Sequence, residues 1–166
     1  MSVAFRRDSD EEHREPRFEL PLPAGPNLVT TRGFAQIAAR VAELEAAVAA
    51  ETDAPALEVA RRTLRYWRTR LATARLAPRP PEGQAGFGSR VRIAIGGAVR
   101  IIDIVGGDEA DPAADRLAFS APLARALMAA EVGDRLDFAG KAEAIEILAI
   151  TPLEPPSPLD AAAPPP

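Results

Sequence analysis

Two stretches of the chain alternate hydrophobic and polar residues at helical spacing. Phe34, Ile37, Val41, Leu44 and Val48 are separated by 3, 4, 3 and 4 residues. Leu57, Ala60, Leu64, Trp67, Leu71 and Ala74 continue the rule after a break at Glu51–Pro55. This is the a/d seam of paired helices. Thr30 or Thr31 is placed to cap the first helix, and Asp53 with Pro55 marks the start of the second. The short break predicts antiparallel packing within one chain. Each helix is expected to hold about 21–23 residues, or ~32 Å at ~1.5 Å per residue.

Beyond residue 87 the period changes. Val91, Ile93 and Ile95 alternate with Arg90, Arg92 and Ala94, as in a half-buried strand. Gly96-Gly97 signals a hairpin turn, with 99–105 as the returning strand. Leu117–Ser120 reads as a third strand. Pro122 opens a short helix, with Ser120 as its cap and Leu123, Leu127 and Met128 facing inward. Strands through Leu136–Phe138 and Ala144–Ile150 complete a small α+β domain. The predicted fold class is therefore α+β, an antiparallel coiled-coil hairpin followed by a compact sheet domain.

Proline sets the boundaries. Of 17 prolines, four lie in residues 1–30, three in 78–81 and seven in 152–166. Proline lacks an N–H and cannot continue helices or central strands. The expected division is a disordered arm at 1–28, the coiled coil at 29–78 and a linker at 79–86. The sheet domain follows at 87–151, then a disordered proline-rich tail at 152–166.

Charge and composition narrow the chemistry. The net charge is −4, yet residues 54–79 hold seven arginines against Glu58 alone. A local basic stripe of this kind attracts phosphate or acidic surfaces, and equally suits a solvated helix face paired with Glu43 or Glu45. There is no cysteine and only one histidine, His13, which excludes thiolate chemistry, a His-based triad and a multi-His zinc site. No phosphate loop occurs, and the loop Asp108-Glu109-Ala110-Asp111 departs from calcium-loop spacing, so no metal site of its own is expected. No apolar run approaches a membrane span and no secretion signal opens the chain, so a cytoplasmic location is expected. Glu51 and Asp53 are the acids at the hairpin turn. Their readings are an ordinary helix cap, or a carboxylate pair that helps chelate a divalent ion held by another protein.

Several blocks together resemble the bacterial Gre transcript-cleavage factors, the GreA/GreB family. They are Asn27–Gly33, Phe87–Val91, Ile104–Asp111, Ser120–Leu127, Val132–Asp134 and Ile145–Ile150. The resemblance implies an FKBP-like fold for the C-terminal domain, which docks beside the secondary channel of RNA polymerase while the coiled coil enters it. It implies that tip acids, here Glu51 and Asp53, assist the polymerase's second magnesium, the chain bringing no cofactor of its own. It also implies that Arg61, Arg62, Arg65 and Arg68 face nascent RNA. Asp108, Glu109, Asp111, Ser120, Pro122 and Arg125 become the polymerase-docking candidates. The protein would act as a monomer, without membrane contact and without enzymatic activity beyond stimulating cleavage by the polymerase. The sequence departs from the family at the tip. No Glu-Asn pair exists, and the span from Gly33 to Phe87 is shorter than a cleavage factor's. That departure favours channel occupancy without cleavage. The alternatives are a prolyl isomerase, which needs an aromatic pocket from Phe87, Phe119 and Phe138, or a general coiled-coil interaction module.

Overall fold

A computed structural model describes residues 19–153. Most of the predicted arm (residues 1–18) and tail (154–166) lies outside the described residues.

The hairpin forms where the seams place it, with each helix slightly shorter than the 21–23 residues expected. Helix α1 spans Thr31–Ala50 and α2 spans Ala54–Thr73, each of 20 residues. Thr30 caps α1 by accepting from the Gly33 N–H at 3.0 Å. Val41, Leu44 and Leu64 are buried between the helices, with Val48, Trp67 and Leu71 packed around them. Phe34, though in register with the seam, is 41% exposed. The second helix stops short of its periodic pattern, because Ala74 is its C-cap and the chain then becomes extended. Strand β1 (Leu28–Val29) pairs in parallel with β2 (Arg75–Leu76), a two-stranded clasp at the open end of the hairpin. Asn27 secures it, donating from Nδ2 to the Arg70 carbonyl at 2.6 Å. Residues 27 and 28, assigned by proline spacing to a disordered arm, thus belong to the hairpin base. The tertiary pairing supplies order that local composition does not.

The C-terminal domain is a five-stranded mixed sheet. Its strands are β3 (Ser89–Ile95), β4 (Ala98–Val105), β5 (Arg116–Ala118), β6 (Arg135–Phe138) and β7 (Lys141–Pro152), in the order β5-β4-β3-β7-β6. Gly96 and Gly97 take φ of 60° and 79°, the left-handed pair that a tight hairpin turn requires. Alternating residues Val91, Ile93, Ile102, Ile104, Ile145 and Ile147 line the buried face. Helix α3 (Pro122–Leu127) covers it with Leu123, Ala124 and Leu127.

Four local expectations are revised. Ala121, not Ser120, is the N-cap of α3, and no side chain caps it. Met128 ends 41% exposed, because it is the C-cap of α3, where the chain turns away. The expected linker holds structure from residue 84 on. Ala85 is buried and exchanges backbone hydrogen bonds with Ala129 and Ala130, both at 2.8 Å. Strand β7 extends to Pro152, and Leu153 donates to the Gly88 carbonyl at 2.7 Å.

Candidate functional site

The hairpin tip is three residues, 51–53. Glu51 Oε1 accepts from the N–H groups of Thr52 and Asp53, both at 2.9 Å. Asp53 Oδ2 accepts from the Ala56 N–H at 3.0 Å and caps α2. Each tip carboxylate therefore bonds its own backbone, as a helix cap does. No group of three or more metal-ligating acids or histidines occurs among the described residues.

The arginine-rich face of α2 is solvated and partly paired. Arg68 meets Glu45 of α1 at 2.7 Å, the cross-helix pairing anticipated from charge. Glu43 instead pairs with Arg40 on its own helix. Arg65 takes Glu19 of the preceding segment at 2.7 Å. This hydrogen bond, the largest cause, holds the Glu19 carboxyl below and the Arg65 guanidinium above its ordinary range. Arg61 pairs with Glu58 at 3.3 Å, and the buried Nε of Arg62 has no hydrogen-bond partner. Arg61, Arg65 and Arg68 line an open groove of about 530 Å³ floored by Val48 and Leu64. Exposed pairs of this kind contribute about 0–1 kcal/mol each. Trp67 packs on the hairpin core, edge-on to Tyr66 at 5.4 Å, rather than standing free to stack on a base.

The loop after β4 faces the hairpin. Asp108 sits in a 3₁₀ turn (Gly107–Glu109) and receives Arg70 of α2 at 2.7 Å, with side chains only 10% and 7% exposed. Burial, and secondarily the Asp108 charge, raises the phenol pKa of nearby Tyr66 above its ordinary value. Glu109 is buried, bonding the Thr30 hydroxyl and accepting from the Gly106 N–H at 3.4 Å. Gly33 packs against that carboxylate so closely that a Cβ would collide with it. These two docking candidates thus join the sheet domain to the hairpin base. The other four lie outward. Asp111 is half-buried beside Arg116 at 2.9 Å, while Ser120, Pro122 and Arg125 are exposed around α3. The Arg70–Asp108 contact was not anticipated, since only a stripe outside the seam marked Arg70 and the two residues lie 38 apart.

Comparison with known proteins places this domain. The family described as "Transcription elongation factor, GreA/GreB, C-term" matches residues 80–152. Residues 80–152 are thus similar to the C-terminal domain of GreA/GreB factors. The GreA/GreB match takes in the sheet and all six docking candidates and leaves out the hairpin. Transcription elongation factor GreA of Agrobacterium fabrum is 41% identical over 71 residues, covering 36% of this chain and 45% of the relative. The aligned stretch therefore spans less than half of that GreA protein. Among solved structures, GreA factor homolog 1 (Gfh1) of Thermus thermophilus is 17% identical. That comparison covers 76% of this chain and 99% of the homolog, with a TM-score of 0.35. A GreA/GreB factor from Nitrosomonas europaea is 16% identical, with 77% and 99% coverage and a TM-score of 0.37.

Proposed function

We propose that this protein is an RNA polymerase-binding elongation regulator that inserts its hairpin into the secondary channel and occupies it without stimulating transcript cleavage. The similarity of residues 80–152 to the GreA/GreB C-terminal domain supports the partner. The observation that carries the mechanism is at the tip, where Glu51 and Asp53 are both engaged in capping their own turn. Capping holds both carboxylates against the turn and leaves one oxygen of each, Glu51 Oε2 and Asp53 Oδ1, for any further contact. The length of the prong sets where its tip can lie. Helices of 20 residues extend about 30 Å, at about 1.5 Å per residue. Each helical turn missing relative to a cleavage factor withdraws the tip by about 5.4 Å.

The sheet domain, read as FKBP-like, is the docking module. Asp111, Ser120, Pro122 and Arg125 present its contact surface, and Asp108 and Glu109 position the hairpin on it. Arg61, Arg62, Arg65 and Arg68 face the transcript along the prong. The isomerase reading is not favoured, since Phe119 and Phe138 pack on the sheet core and Phe87 lies edge-on to Phe119 at 5.5 Å.

The test is a cleavage assay on stalled elongation complexes. The wild type is expected to leave cleavage at its intrinsic rate and to reduce the rate produced by an active cleavage factor. The charge-removing pair Glu51→Gln with Asp53→Asn keeps the turn's acceptors and is expected to behave as the wild type. Stimulated cleavage that this double variant abolishes overturns the non-cleaving mechanism.

A further inference from the structure

A cleft of about 750 Å³ opens between the hairpin base and the sheet domain. One wall is the start of α1 and the segment after β2, and the other is formed by β3, β4, β5 and the end of β7. Four arginines line it, Arg32, Arg79, Arg90 and Arg116, against two acids, Asp103 and Glu109. Only part of this positive charge is neutralised internally. Arg90 is held by Asp103 through two hydrogen bonds of 2.7 and 2.9 Å. Arg116 gives one terminal nitrogen to Asp111, while its Nε is buried and has no hydrogen-bond partner. Arg32 and Arg79 are exposed, with no acidic partner among the described residues. The first turn of α1 opens on the same wall through Thr31 and Arg32, with the Glu109 carboxylate already set against its N-terminal end.

Guanidinium forks match phosphate oxygens, and Arg32 and Arg79 carry theirs exposed on this cleft. The volume falls within the ~300–1,000 Å³ of small-molecule sites. We infer that this cleft binds a pyrophosphate group, free or carried by a nucleotide, through Arg32, Arg79 and Arg116. Phe87, Leu76 and Leu153 supply apolar lining beside the arginines. An occupant touches both walls and so braces the hairpin on the sheet domain. The site needs no polymerase, so its test is independent of the function proposed above.

Isothermal titration of the full chain with inorganic pyrophosphate, and separately with GDP, tests it. Saturable one-to-one binding of at least one probe is expected. Arg116→Gln and Arg79→Gln are each expected to weaken it by about tenfold, the worth of one charge-assisted hydrogen bond. Arg79 makes no described ion pair, so its variant keeps the fold even if Arg116→Gln does not. Arg40→Gln, on the exposed face of α1, should bind as the wild type. Tighter binding of GDP identifies a nucleotide as the source of the group, and equal or tighter pyrophosphate binding identifies the free anion. Absence of saturable binding by both probes, or wild-type affinity in Arg79→Gln, overturns the inference.

Discussion

Arg70 is the charged residue whose environment differs most from its place in the sequence pattern. It lies among solvated arginines on α2, yet it is 6% exposed and bound to Asp108. Removing one partner of a buried pair strands the other charge, which costs about 3–5 kcal/mol. Asp108→Ala is therefore expected to lower the unfolding free energy by that amount in urea titration. Gly33 tests the neighbouring contact. Alanine normally stabilises a helix interior by about 1 kcal/mol over glycine. Here the added methyl meets the Glu109 carboxylate, which is held by Thr30 and the Gly106 N–H and cannot move without losing them. Gly33→Ala should thus destabilise the fold by about 1–3 kcal/mol, the usual range for overpacking. Placing it in a Glu109→Ala background should remove most of that penalty, which a double-mutant cycle measures.

At the level of elements, each helix carries its own boundary signals, and these explain why the hairpin follows its pattern closely. Asp53 donates no charge to a partner but ties the first turn of α2, so Asp53→Ala should cost about 1 kcal/mol. Asp53→Ser, which keeps an acceptor, should cost much less. Both are readable as shifts in the midpoint of denaturant unfolding. The sheet was legible for the same reason, since a period of two marks β3 and β4 and a glycine pair marks their turn. The clasp of β1 on β2 was not. Two-residue strands carry no period, and their partners lie 47 residues apart. The parallel pairing of β5 with β4 was equally hidden, because it depends on how the intervening 3₁₀ turns fold back.

At the scale of the molecule, a prong is held at a defined base by contacts from two sides: Arg70 with Asp108, and Thr30 with Glu109. Such a base fixes the direction of the tip relative to the sheet domain, which a flexible joint would not do. Docking itself is expected to depend on the outward residues. The charge reversals Asp111→Lys and Arg125→Glu together should weaken polymerase affinity about tenfold or more, with unchanged thermal stability outside the loss of the half-buried Asp111–Arg116 pair. Surface plasmon resonance with immobilised polymerase measures this, and unchanged affinity removes that surface from the docking role.

The residues alone determined the two-part organisation, the seams, the cap at Asp53 and the blocks of the second domain that resemble the GreA/GreB C-terminal domain. Each of these is written in local spacing, where propensity and periodicity act over a few neighbours. Tertiary structure decided which charges meet. Asp108, Glu109 and Arg70 read along the chain as surface groups, because solvated and buried ionic residues share the same letters. Only when the hairpin base closes on the loop after β4 do these groups leave water, and only then does the arginine-lined cleft beside them exist.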